Sequence, residues 1–230
     1  MPNTSPPRKR PIILIVIVAL VAIVAGVLIA SRLYADTVSS EAADAPTLSS
    51  SAATAPATSA DGTWTSTDGS YAGYRLEEVL NGSDVTVTGR TEDVDATFNV
   101  SDKELTDATA TIQVSSITTD SDRRDNYFRS TAIDTTANPE ATFTLTAPVD
   151  ISSALDDGSG TVTLQGDLRI NGQTQPITVE ADSVFGGGTA QIVGQIPVTW
   201  ADFGVEAPNL GFVSVEDTGF IEFSLTMVKD

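Results

Sequence analysis

An all-β domain carried behind one membrane-crossing helix is the architecture this sequence predicts. Three observations predict it. An uncharged apolar run fills Pro11 to Ala30, apolar and polar residues alternate in segment after segment beyond Asp61, and turn dipeptides punctuate those segments. Period-two alternation marks antiparallel strands with one wet face.

Residues 1–10 form a basic start, with Arg8, Lys9 and Arg10 directly ahead of the apolar run. Residues 11–31 read as a transmembrane signal-anchor helix. Twenty residues at ~1.5 Å each span roughly 30 Å, the thickness of a bilayer's hydrocarbon core. The flanking charges keep the N-terminus cytoplasmic and export everything after Arg32 to the periplasm or the cell exterior. Two other readings compete: a signal peptide cut after Leu33-Tyr34-Ala35, and a buried core helix. Cleaved signals carry shorter apolar regions, of about 7–15 residues.

Residues 32–60 follow as a disordered stalk. From Asp36 onward they are nearly all Ala, Ser, Thr, Pro and Asp, with Val38 and Leu48 as the larger apolar side chains, too few to form a core. As a random coil the stalk spans about 25–30 Å.

The domain occupies 61–230. Ala108, Ala110, Ile112 and Val114 share one face of a strand. Val162, Leu164, Leu168 and Ile170 share another, as do Ile177, Val179 and Ala181, and then Ile221, Phe223, Leu225 and Met227. Asn81-Gly82, Asp157-Gly158, Asn171-Gly172 and Gly186-Gly187-Gly188 separate such segments, and Asn171-Gly172 is the clearest two-residue hairpin. The pattern predicts eight to ten strands in a sandwich or a closed barrel. Asp120 to Ser130 breaks the alternation and predicts a short helix over 121–130, with Asp125 and Arg129 spaced for an ion pair. No repeat of solenoid or propeller length is present.

Composition excludes several functions. The chain has 230 residues, no Cys and no His, so His-dependent triads and Cys/His metal sites are ruled out. Before residue 61 there are four basic and three acidic residues, net +1; from 61 onward there are eight basic and 28 acidic, net −20. Such a domain is no nucleic-acid binder. What remains is an acidic binding or structural domain, or an enzyme working through carboxylates or Lys. Asp217-Thr218-Gly219 matches the aspartic-protease triplet, but that chemistry needs two carboxylates sharing a proton, and a hairpin turn between Val215 and Phe220 explains it more simply. Asp93/Asp95 and Asp156-Asp157 lack the spacing of a calcium loop. Neither a catalytic residue, a metal site nor a cofactor is expected.

Four blocks carry a family resemblance. Ser116-Ile117-Thr118-Thr119, then Arg124-Asp125-Asn126-Tyr127-Phe128, then Asn138-Pro139-Glu140-Ala141-Thr142-Phe143 resemble the YceI-like family. Gly166 to Thr178 (GDLRINGQTQPIT) looks like its central hairpin, Trp200-Ala201-Asp202-Phe203-Gly204 like its D-F-G block, and Val215-Glu216-Asp217 with Ile221 and Leu225 like its closing strand. The match spans about 61–230. It implies a lipocalin-like extended antiparallel β-barrel with a short helical insertion, holding a long isoprenoid chain inside. Two departures stand out. The His that family members carry in the second strand and in the hairpin is absent (here Gly73-Tyr74-Arg75-Leu76 and Ile170-Asn171-Gly172), and Trp200 stands where Arg is common.

The alternating faces nominate Phe98, Ile112, Val114, Phe143, Leu145, Leu164, Leu168, Ile170, Ile177, Val179, Ile192 and Phe223 as barrel-interior residues. By pattern alone they fill a solid core; the resemblance implies that they line a lipid cavity. Arg123, Arg124 and Arg129 are candidate head-group contacts, though Asp120, Asp122 and Asp125 lie among them. The expected function is therefore that of a membrane-anchored, extracytoplasmic lipid-binding protein and not an enzyme. A surface interaction domain with a filled core is the alternative, and a carboxylate hydrolase comes third. The expected partners are the membrane, through 11–31, and an apolar lipid; oligomeric state is left open.

Overall fold

The computed structural model describes residues 26–27, 29–49, 60–209, 211 and 213–230. The basic start 1–10, most of the expected anchor 11–31 and the stalk segment 50–59 lie outside the described residues. Among the described residues no helix is long and apolar enough to cross a membrane.

Eleven strands follow in chain order: β1 (Gly62–Ser66), β2 (Tyr71–Leu80), β3 (Ser83–Thr91), β4 (Val94–Ser101), β5 (Glu104–Gln113), β6 (Glu140–Leu145), β7 (Val149–Asp150), β8 (Ser159–Ile170), β9 (Gln173–Gly186), β10 (Thr189–Thr199) and β11 (Val213–Lys229). Antiparallel pairing runs β1-β4-β5-β6-β8-β9-β10-β11, and β11 returns to β1, which closes an eight-stranded barrel. The expected turns account for two hairpins. Asn81-Gly82 joins β2 to β3 and Asn171-Gly172 joins β8 to β9, all four residues at positive φ (50° and 81°, 50° and 76°), as a two-residue type I′ turn requires.

The two ends of this barrel differ. At the β1 end β1, β4, β9, β10 and β11 are paired on both sides, and a short helix (Ser152–Asp156) packs beside the gap between β7, which pairs with β5 alone, and the stretch of β8 before Gly166. At the other end the β2–β3 hairpin replaces β1–β4 along β11, and the outer edge of β3 meets no further strand beyond a single bridge from Arg90 to Thr118. On that same end β9 and β10 pair only over Ala181–Gly186 and Thr189–Gly194 and then separate. Pro176 and Pro197 lie in the separated stretches, and a proline cannot donate to a ladder.

Helical pieces cover this open end. Helix α1 (29–41) is the first. Its Ala35 and Val38, one turn apart, are buried against Tyr74, Val85, Val87, Val114 and Ile117. The chain then runs extended along the barrel wall. The Ala43 N–H donates to Thr88 Oγ1 (2.9 Å), Arg75 and Arg90 donate to the carbonyls of Ala43 and Asp44, and the Ser49 N–H and hydroxyl donate to Gln191 Oε1 (both 2.8 Å). Residues 32–49, expected as part of a disordered stalk, are thus attached in this structure. Two small apolar side chains on one helix face and a row of backbone hydrogen bonds suffice, a signal that composition averages away.

Helix α2 (Asp122–Tyr127), continued by a π-turn over Phe128–Ala132, is the expected helical insertion. The expected Asp125–Arg129 pair is not made. Asp125 is buried and accepts from the Thr119 N–H (2.9 Å) and hydroxyl (2.8 Å), while Arg129 donates to the Ile117 carbonyl (3.2 Å). A buried carboxylate takes local donors over a long, half-exposed side chain. Helix α3 (Ser152–Asp156) caps the opposite end, with Ala154 fully buried.

The turn expected at Asp217-Thr218-Gly219 is also corrected. β11 continues through it, and the register against β2 slips between Val215 (opposite Glu78) and Gly219 (opposite Leu76), a bulge. The Trp200 ring accounts for the glycine: a Cβ on Gly219 would lie 2.2 Å from it.

Two apolar clusters form the core. One, at the paired end, centres on Trp64 and Met227 (both 0% exposed), with Phe98 stacked on Trp64 at 5.8 Å and Phe185 edge-on at 6.1 Å. The other lies under α1 and α2 and includes Tyr74, Leu168, Ile170 and Phe203.

Candidate functional site

Between the two clusters lies a hollow of about 120 Å³. Its wall is apolar apart from Thr97, Thr109 and Ser183, and the Ser183 hydroxyl donates to the Gly160 carbonyl (2.9 Å). Two devices keep the space open. Ala72, Ala96, Ala108, Ala110 and Ala181 supply short wall residues. Two phenylalanines lie over glycines on neighbouring strands: a Cβ on Gly166 would sit 2.2 Å from the Phe143 ring, and one on Gly194 2.6 Å from the Phe223 ring. The glycines let both rings lie against the wall, leaving the axis free.

Of the expected interior residues, Phe98, Ile112, Phe143, Leu164, Leu168, Val179, Ile192 and Phe223 line this hollow. Four do not. Val114 is buried in the 3₁₀ turn after β5, because the strand ends at Gln113. Ile170 packs in the cluster under the helices, and Leu145 packs against the Trp64 cluster. Ile177 faces a separate cleft of about 580 Å³ at the β9–β10 separation. That cleft mixes Ile177, Val198 and Phe220 with Glu77, Asp202 and Glu216, so its walls suit an apolar chain less well than the smaller hollow does. Alternation puts Ala108, Ala110 and Ala181 on inward faces without nominating them as lining residues, and it does not place Ala72 or Ala96, since alanine carries little hydrophobic signal. Val162 is placed on the same face as Leu164 but not nominated, and Leu105, Phe185 and Ile196 are not placed.

The expected arginine cluster is divided. Arg124 pairs with Asp120 and with Glu78 (3.4 Å), Arg129 holds the Ile117 carbonyl, and Arg123 is exposed. Tyr74 lies below this helix with its ring stacked on Phe128 (5.2 Å), and burial pushes its phenol well above the ordinary range, so it stays neutral.

A second charged group was not foreseen. Glu222 alternates onto the outer face of β11 yet is 0% exposed. It accepts from Arg75 Nε (2.6 Å), Arg90 (3.0 Å) and Gln195 Nε2 (2.8 Å), and Arg90 also lies 4.5 Å from the Tyr71 ring centre. Its burial is a tertiary event, since the arginines above it are held by the 43–49 segment.

The YceI-like domain model matches residues 63–227, a span that contains the barrel, the hollow and α2. The chain belongs to the YceI-like family. It is 34% identical over 140 residues to a UPF0312 protein of Vibrio campbellii (57% of this chain, 70% of the relative), and 32% identical over 137 residues to Protein YceI of Shigella flexneri (56% and 68%). Two solved structures share the fold. One is a polyisoprenoid binding domain from Saccharophagus degradans implicated in plant cell wall breakdown (TM-score 0.55, 19% identity, 74% of this chain and 99% of that one). The other is BcnA of Burkholderia cenocepacia (TM-score 0.53, 20% identity, 66% and 95%). Against the YceI-like pattern, Trp200 keeps its position but not the charge: its ring packs over Gly219 and its Nε1 is buried without a hydrogen-bond partner.

Proposed function

We propose that this protein is an extracytoplasmic binding protein, held by an anchor at 11–31, whose barrel takes up the apolar chain of an isoprenoid or similar lipid and performs no reaction on it. The observation that carries the reading is the apolar hollow at the centre of a closed barrel, kept open by Gly166 and Gly194. The solved relative described as a polyisoprenoid binding domain supports the ligand class.

The size of the hollow bounds the binding mode. At about 120 Å³ it is somewhat smaller than the ~150 Å³ engineered cavity that takes up benzene, so it fits about one five-carbon unit. Burying one such unit contributes roughly 3–4 kcal/mol, against the ~8 kcal/mol of micromolar binding. Firm retention therefore requires the chain to extend along the axis by displacing side chains at the open end, where the strands separate. The alternative, a surface interaction domain with a filled core, is favoured by the same small volume.

Organic extraction of protein purified from its native host, followed by mass spectrometry, tests the ligand; a clean extract from folded protein supports the alternative. Leu168→Trp separates the two readings further. An added ring that enters the hollow leaves apo melting near native and displaces three to four methylenes, weakening lipid retention about 100-fold. In a filled core the same change overpacks and costs roughly 1–3 kcal/mol of apo stability. Topology has its own test. Protease added to intact cells should degrade the domain and spare a tag at the N-terminus; a soluble mature chain starting near Asp36 overturns the anchor.

A further inference from the structure

We infer that α1 seats the barrel directly on the bilayer, with the α2 end turned toward the lipid, in place of a loose tether. The inference rests on the anchor reading above and deepens it by naming the surface the domain faces.

The residues of α1 and Val27, just ahead of it, divide by position. Val27, Ile29, Leu33 and Tyr34, at its start, are 59–62% exposed, whereas Ala35 and Val38 are 2% and 5% exposed against the barrel. At about 100° per residue Ile29, Leu33 and Tyr34 lie on one arc of about 140°, away from Ala35 and facing solvent. These side chains also continue the apolar run that starts at Pro11, with Arg32 and Tyr34 at its end, residue types suited to a membrane boundary.

Direction follows from the contacts. Ser39 Oγ accepts from the Thr86 N–H (3.3 Å), Ala43 bonds Thr88, and Arg90 donates to Asp44, so the chain advances along β3 in the strand's own sense. Followed backward, α1 climbs toward the Asn81-Gly82 turn. Residues 29–39 rise about 15 Å, and Ser83 to Thr86 covers about 10 Å. Carried on in that sense, the exposed start of α1 lies at the open end of the barrel, at or past its rim. The first docked residue, Ala35, follows Tyr34 with no free chain between them, so the membrane boundary and the barrel rim are adjacent. The matched family domain begins at residue 63, so this seat is an addition outside it. An acidic domain of net −20 gains no attraction from an anionic surface, which leaves the seating to α1. A lipid chain would then pass between bilayer and barrel without crossing water.

The test uses the full chain, which has no cysteine, in phosphatidylcholine–phosphatidylglycerol vesicles carrying headgroup-nitroxide lipid. A bimane is placed at Asp84→Cys, beside the β2–β3 turn, or at Asp157→Cys, at the opposite end roughly 30 Å away along the axis. The Asp84 probe should lose most of its fluorescence and the Asp157 probe little. Inserting twenty Gly/Ser residues between Tyr34 and Ala35 should abolish the difference. In the uninserted chain, a Ser39→Cys/Thr86→Cys pair should oxidise to a disulfide in the vesicle-bound protein. Equal, weak quenching at both sites without the disulfide, in a chain that resists alkaline carbonate extraction, overturns the seating and spares the anchor. Release by carbonate overturns the anchor itself, and the seating with it.

Discussion

The two ends of the barrel solve the same problem by opposite means. Around Trp64 most strands have two neighbours, α3 packs beside the gap between β7 and β8, and the cluster is apolar with no buried charged side chain among the described residues. Under α1 and α2 the ring is interrupted twice, at the edge of β3 and between β9 and β10, and there the chain buries Glu222, Glu78 and Asp125, each with named donors. The Trp64 end has one short gap, and α3 packs beside it, so few backbone groups need other partners there. The end under α1 and α2 leaves longer edges, and helices, a strap and charged side chains supply partners there. The open end is thereby the one that can yield to a ligand.

Truncating the paired end should cost most. Trp64→Ala removes a fully buried ring that contacts Phe98 and Phe185, and should lower stability by about 3–5 kcal/mol in urea unfolding. Glu222→Ala breaks the open end in its own manner. It leaves Arg75 and Arg90 facing each other without their carboxylate, and since both are partly exposed the loss should fall near 3 kcal/mol. Removing residues 1–49 should abolish much of the Glu222→Ala effect and leave that of Trp64→Ala intact; equal sensitivity of the two to this truncation would break the comparison.

Smaller changes sharpen it. Gly194→Ala must push the Phe223 ring toward the axis, costing roughly 1–3 kcal/mol and reducing lipid retention measured by extraction, because the ring then occupies the hollow. Arg124→Ala removes the pairs to Glu78 and Asp120 at a half-exposed site. Because Glu78 is buried and loses its named donor, the change should cost about 2 kcal/mol and leave lipid affinity within a few-fold. A large affinity loss with unchanged melting would instead make Arg124 a head-group ligand.

What the sequence determined by itself was local. Alternation placed the inward residues of β8, Leu164 and Leu168, and Asn171-Gly172 and Asn81-Gly82 set two hairpins, because period-two patterning and positive φ are properties of neighbouring residues. Most of the expected hollow was legible for the same reason. Tertiary structure decided the rest. Alternation assigns Glu222 to solvent, and only the strap at 43–49 with Arg75 and Arg90 buries it. Ile177 has the same pattern as Val179 and packs against the cluster under the helices, yet the separation of β9 from β10 leaves it half-buried at the cleft and away from the hollow. Ala35 and Val38 are unremarkable in an Ala/Ser/Thr-rich stretch until an unpaired strand edge offers them a surface. Each of these outcomes depends on chain segments tens of residues or more apart in sequence meeting in space, and no local period encodes that meeting.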